Sequence, residues 1–135
     1  MAECRVRMAA CRLAAAALWV AVAAHSATLV RYPYLQNART DRITILWATD
    51  EDGAGEVQFS TDQSYSSSAP ADSRRFGTTE TGMAAAYFQH QAQLRGLRAD
   101  TQYFYRVVVD GQVLSAGDTF RTAGSRPFNF LVFGD

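Results

Sequence analysis

The sequence feature that most restricts the fold is an alternation of apolar and polar residues with a period of two. It is clearest in the run FQHQAQL at residues 88–94, and similar runs occur at residues 43–48, 56–60 and 102–109. Successive side chains of a β-strand point to opposite faces of the sheet, so each run predicts a strand with one apolar and one largely polar face. No segment after residue 26 sustains the 3.6-residue period of a helix. The sequence therefore predicts an all-β, antiparallel fold.

Turn-forming residues separate these runs. Asp52-Gly53 follows the first run, and Asp110-Gly111 is a dipeptide that favours a type I′ hairpin turn. Residues 60–73 are rich in Ser and Asp and contain Pro70, which predicts a surface loop. Several short strands with this spacing predict two packed antiparallel sheets, that is, a β-sandwich.

A tyrosine at the start of one run specifies the kind of sandwich. Tyr103 follows a corner at residues 97–101, where its hydroxyl can reach the backbone of residues 94–100. This is the tyrosine corner of immunoglobulin-like domains. We therefore predict an immunoglobulin/fibronectin type III-like antiparallel β-sandwich. The residues expected to be buried between its sheets are Trp47, Ile45, Phe59, Tyr103, Tyr105, Val107 and Leu97.

Residues 1–26 have the three parts of a secretory signal peptide. Basic residues open the segment, an apolar run follows at residues 13–24, and small residues follow that run up to Ala27. A short buried helix or a membrane anchor is the less favoured alternative, because the apolar run is shorter than the roughly 20 residues that span a bilayer. We expect a secreted or periplasmic protein that has no membrane contact after cleavage.

The composition excludes several classes of protein. The 13 basic residues balance 13 acidic residues, whereas a nucleic-acid-binding protein needs a basic excess to neutralise phosphates. Both cysteines, Cys4 and Cys11, lie in the predicted signal peptide. The exported product would have no disulfide, so an apolar core has to stabilise it.

Five segments in this order resemble the N-terminal domain of purple acid phosphatases and related secreted bacterial metallophosphoesterases. They are RYPYLQN at 31–37, RITILWAT at 42–49, HQAQLRGL at 90–97, TQYFYRV at 101–107 and TFRT at 119–122. The resemblance implies a fibronectin type III-like domain at residues 28–123, placed ahead of a catalytic domain. One position departs from the family pattern: Ala99 stands where the family commonly has Pro, which loosens the turn slightly.

The resemblance also implies a role for residues 124–135, as a linker and the first strand of a truncated metallophosphoesterase domain. The apolar run at residues 128–133 ends in Gly134-Asp135. In this family the Asp at the carboxyl end of the first catalytic strand is a metal ligand, and a carboxylate suits a hard cation. Asp135 is therefore the candidate metal ligand, and we predict no catalytic or cofactor-binding residue in the chain itself.

The function implied by the resemblance belongs to a longer parent chain. That parent would hydrolyse phosphate monoesters at a binuclear centre that holds iron with zinc, manganese or a second iron. Such a centre needs a cluster of Asp, Asn and His ligands. We expect this chain to be a non-catalytic module whose partner is the parent's own catalytic domain. The alternatives are a stand-alone secreted fibronectin type III-like binding module and a structural spacer.

The patterns of the other polar residues are more typical of structural roles than of catalytic or ligand-binding ones. His90 lies on the apolar face of its strand, which is typical of a core histidine. The acidic cluster at residues 50–52 predicts a solvated turn, with weak Ca²⁺ binding as the alternative. The serines at residues 66–68 have no nearby His partner in the sequence, so a serine nucleophile is not expected.

Overall fold

A computed structural model describes residues 26–124, which form seven β-strands and one short helix. The predicted signal peptide, apart from its last residue, and residues 125–135, including Asp135, lie outside the described residues. All paired strands are antiparallel, in the order β1-β2-β5-β4-β3-β6-β7. The elements are β1 Leu29–Gln36, β2 Arg42–Thr49, β3 Gly55–Ser60, β4 Ser67–Phe76, α1 Thr78–Thr81, β5 Tyr87–Arg95, β6 Gln102–Val109 and β7 Gln112–Arg121.

Strand β4 divides this sheet into two layers. Its residues 67–70 pair with β3, and its residues 71–76 pair with β5. One layer therefore contains β1, β2, β5 and the second part of β4, and the other contains the first part of β4, β3, β6 and β7. Residues from both layers join a single apolar cluster that includes Trp47, Leu94, Val57 and Val107. The predicted β-sandwich is confirmed.

The prediction of a surface loop over residues 60–73 is wrong beyond residue 66. Residues 67–76 form β4, although Ser, Asp, Ala and Pro are poor strand formers. Hydrogen bonding to two neighbouring strands outweighs that local preference. Pro70 lacks a backbone donor, and it lies at the end of the β3 pairing, where β4 changes partner.

The predicted core is largely confirmed. Trp47, Ile45 and Val107 are fully buried, and Phe59 is partly buried and packs against the same cluster. The other predicted core residues, Leu97, Tyr103 and Tyr105, are also buried.

Strand β2 differs from the predicted pattern, because it is buried on both faces. Its outer-face residues Thr44, Leu46 and Ala48 are as inaccessible as its inner-face residues. Strand β2 lies between β1 and β5, and Tyr34 and Gln91 are directly opposite Leu46 on its two sides. The outer face of this strand is therefore not the solvated face that the alternation predicts.

Two local predictions are confirmed in detail. The hydroxyl of Tyr103 accepts a hydrogen bond of 3.0 Å from the backbone N–H of Arg98, which forms the tyrosine corner. Asp110 and Gly111 both have positive φ, at 49° and 78°, as a type I′ turn requires. The turn joins β6 to β7 directly, since Val109 pairs with Gln112.

In residues 26–124, no helix has the length and apolar character needed to span a bilayer.

Candidate functional site

The metal centre implied by the sequence has no counterpart in the described residues. Asp135 lies outside them. Between residues 26 and 124, no group of three or more His, Cys, Asp and Glu side chains could hold a metal ion. This part of the chain therefore does not fit a binuclear metal site.

The buried histidine is part of the core, as predicted. The ring of His90 stacks on that of Trp47, with centroids 5.1 Å apart and planes 12° apart. Its Nε2 lies 2.8 Å from the hydroxyl oxygen of Thr49, which itself donates to the backbone carbonyl of Glu51. Because that hydroxyl proton is already used, we assign Nε2–H of His90 as the donor to Thr49.

The other side of this pair is closed by a glycine. A Cβ atom on Gly55 would lie 2.9 Å from Nδ1 of His90 and 3.0 Å from the Trp47 ring. Among the described residues, Nδ1 of His90 and Nε1 of Trp47 have no hydrogen-bond partner. Burial lowers the pKa of His90, and Asp52 and Asp110 oppose that effect only in part. A lowered pKa favours the neutral imidazole near pH 7, and the backbone of Gly55 packs closely against its Nδ1 side.

The acidic cluster after β2 holds the loop in place. The carboxylate of Asp50 accepts hydrogen bonds from the hydroxyl and the backbone N–H of Thr28, at 2.5 Å and 2.7 Å. These bonds lower the pKa of Asp50. Asp52 accepts from the hydroxyl of Ser73, at 2.7 Å, and from the N–H of Gly53. These contacts agree with the predicted turn.

The segment that leaves β7 is anchored by a residue that the sequence analysis did not identify. The buried hydroxyl of Thr122 donates to the carbonyl of Arg98 at 2.5 Å and accepts from the N–H of Thr101 at 3.0 Å. The N–H of Ala123 donates to the carbonyl of Arg39 at 3.1 Å. The chain is thus held to two loops at the end of the sandwich. A threonine that follows a strand gives no sequence signal for this role.

A surface cleft of about 320 Å³ lies on the outer face of β4 and β5. Its lining combines polar, charged and aromatic side chains. They are Asp72, Ser73, Arg74, Phe76, Gln89 and Gln91. The sequence does not predict this cleft, because the composition of residues 60–73 predicts a loop and the glutamines of β5 predict a solvated face.

Four side chains form a continuous stack beside the cleft. Phe76 and Tyr87 are parallel, with centroids 5.3 Å apart. The guanidinium of Arg74 lies 4.6 Å from the Phe76 centroid, and that of Arg31 lies 5.6 Å from the Tyr87 centroid. Cation–π contacts of this kind are favourable even at exposed sites. Two members of this stack, Arg74 and Phe76, line the cleft.

Comparison with known proteins gives one family and a similar fold. A family model described as purple acid phosphatase, N-terminal domain, matches residues 19–122. No curated protein matches the chain. Among solved structures, the sensor domain of the anti-sigma factor RsgI4 from Pseudobacteroides cellulosolvens is similar, with a TM-score of 0.51 and 14% sequence identity over 80% of this chain and 100% of that one. At this identity the likeness concerns the fold alone.

Proposed function

Because this chain belongs to the family of purple acid phosphatase N-terminal domains, which covers residues 19–122, we propose that it is the N-terminal module of a secreted metallophosphoesterase. The family match is the observation that carries this proposal. The module itself is non-catalytic, and hydrolysis of phosphate monoesters belongs to a catalytic domain of the same polypeptide.

The module's role in this proposal is to hold the catalytic domain in a fixed position. The anchoring of Thr122 and Ala123 to the loops supports it, because these two residues are held at a defined position at the end of the sandwich. Asp135 is proposed as one ligand of a binuclear centre of iron with zinc, manganese or a second iron. Such a centre supplies Lewis-acid activation of water and of the phosphate group.

Export of the protein is part of the same proposal. It rests on the signal-peptide pattern of residues 1–26, which supports a location of the parent in the periplasm or outside the cell. Mass spectrometry of the protein purified from culture medium or periplasm tests this part. We expect the mature N-terminus between Ala24 and Thr28, and a mature protein that retains Arg5 would contradict it.

The decisive experiment is to sequence the gene beyond the codon for Asp135 and to assay its complete product. We expect further Asp, Asn and His codons with metal-ligand spacing. We also expect the purified product to hydrolyse p-nitrophenyl phosphate and to lose this activity with a chelator. A stop codon directly after Asp135 in an intact gene would overturn the proposal.

The second candidate function is a stand-alone binding or spacer module. The cleft on β4 and β5 favours the binding form, because it brings several polar side chains together at the surface. Sequencing the gene beyond the codon for Asp135 distinguishes the two functions.

A further inference from the structure

The cleft on the outer face of β4 and β5 contains polar groups that are free to bind a ligand. In the described part of the chain, the carboxylate of Asp72 and the amides of Gln89 and Gln91 make no side-chain hydrogen bond or ion pair. Asp72 lies directly opposite Gln91, and Arg74 lies directly opposite Gln89, so all four side chains share one face. Its volume of about 320 Å³ is at the small end of the range of roughly 300–1,000 Å³ that is typical of small-molecule sites.

The mixture of these groups selects the class of ligand. A glutamine amide both donates and accepts, a carboxylate accepts, and a guanidinium donates. The guanidinium of Arg74 lies over the Phe76 ring and 3.8 Å from the carboxylate of Glu80, so its charge is already paired. The carboxylate of Asp72 would then repel an anion, and a single carboxylate holds a cation only weakly. Hydroxyl groups donate and accept at once, so a neutral molecule with several hydroxyls satisfies Asp72 and the two glutamines.

The wall of the cleft suits the same ligand. Phe76 lines the cleft, and its ring contacts both the Tyr87 ring and the guanidinium of Arg74. The carbon-bound hydrogens of a sugar ring offer an apolar surface that can pack against an aromatic side chain.

The floor of the cleft favours side-chain recognition. Strands β4 and β5 pair with each other over residues 71–76 and 87–92, so their facing backbone groups are already bonded. A ligand above this face meets side chains alone. A peptide strand would instead bind backbone groups at the outer edge of β4, and it would not need the two glutamines.

We propose that this cleft binds one unit of a neutral saccharide chain, with Asp72, Gln89 and Gln91 hydrogen-bonded to its hydroxyls. The binding site stands apart from the phosphatase assignment, since it uses none of the residues on which that assignment depends.

NMR titration of the ¹⁵N-labelled chain tests the site. The probes are cellohexaose, chitohexaose and mannohexaose, with inorganic phosphate and a Gly-Ser hexapeptide as controls. We expect at least one saccharide to give saturable shifts centred on residues 72–76 and 89–91. The absence of saturable shifts with all three saccharides at about 10 mM, where a millimolar site is nearly full, would overturn the proposal. Saturation by phosphate or by the peptide at these residues, with the saccharides inactive, would also overturn it.

A matched set of variants tests the assigned side chains. Gln91→Ala and Asp72→Ala should each weaken saccharide binding about fivefold or more, because each removes a hydrogen-bonding group. Gln93→Ala is the control: Gln93 lies on the same face of β5 outside the cleft, where it accepts a hydrogen bond from Arg95. It should leave the affinity unchanged. Unaltered binding by both cleft variants, with the fold retained by NMR, would contradict the proposal.

Discussion

The indole of Trp47 and the imidazole of His90 are stacked in the centre of the sandwich, on directly opposite positions of β2 and β5. The stack buries a titratable ring where a protonated form cannot be hydrated. Gly55 contributes to this arrangement, since any larger residue would meet both rings. We therefore expect the stability of this core to depend on pH and on the size of the residue at position 55.

The stability of the domain should fall as the pH decreases below about 6.5, the ordinary pKa of histidine. Burial lowers the pKa of His90 in the folded state, so the unfolded state binds its proton first. The contribution of neutral His90 to the free energy of unfolding is fully present above pH 6.5. It is lost progressively as the pH falls toward the lowered pKa of the folded state. Chemical denaturation at several pH values between about 5 and 7.5 measures this slope. A slope that persists unchanged in His90→Gln would refute the assignment.

Gly55→Ala should destabilise the fold by about 1–3 kcal/mol, the usual cost of inserting one carbon into a packed core. The added Cβ would lie within 3.2 Å of Ala71 as well as against the two rings. Gly77→Ala is the matched control, because the nearest atom to a Cβ there is 3.7 Å away. Urea denaturation of both variants gives the comparison. Equal effects at the two positions would show that the contact at Gly55 is relaxed at little cost.

Tyr103→Phe should lose about 1 kcal/mol or somewhat more, because it leaves the N–H of Arg98 without its partner in the corner. Tyr105→Phe is the control, because Tyr105 is also a buried tyrosine of the core. Burial raises the pKa of Tyr105 to about 12. Thermal or chemical unfolding of the two variants separates hydroxyl bonding from ring packing. The tyrosine-corner assignment fails if Tyr103→Phe is as stable as the parent sequence.

Thr122→Val should destabilise the chain by about 1–3 kcal/mol, because the hydroxyl links the carbonyl of Arg98 to the N–H of Thr101. The valine keeps the shape of the side chain and removes the hydrogen bonds. Thr119→Val, at an exposed position of β7, serves as the control. Hydrogen exchange at Thr101 and Ala123 measures the local effect. Protection that is equal in both variants would contradict the anchoring role.

The 135-residue chain should show no turnover of p-nitrophenyl phosphate with added iron, zinc or manganese. A binuclear site needs several protein ligands, and a single carboxylate at Asp135 binds a hard cation weakly. Asp135→Asn is the matched variant for this assay. Metal-dependent turnover that disappears in Asp135→Asn would show a catalytic site in the chain itself.

The sequence predicts those parts of the fold in which local pattern and tertiary packing agree. In β5, alternation correctly places His90, Ala92 and Leu94 inside. In β2 the alternation does not predict burial correctly, because Thr44 on the outer face is buried although it is polar. Strand β4 could not be predicted, because its pairing with two strands overrides its loop-like composition.

The candidate sites also divide into those that the sequence predicts and those that it does not. The core role of His90 follows from its place on an apolar face, and the turn at residues 50–52 follows from its composition. The cleft could not be found from the sequence, because Asp72 and Gln91 are distant in the chain and become neighbours through strand register alone. The metal-ligand role of Asp135 stays a prediction.

The shared position of strand β4 also bears on how the domain folds and unfolds. Since one continuous strand belongs to both layers, neither layer keeps its full set of strands when the other opens. Native-state hydrogen exchange should therefore give one common opening free energy for β2, β3, β5 and β6, with lower values at the edge strands β1 and β7. Such a result would show that the sandwich unfolds as one cooperative unit, with strand β4 coupling its two halves.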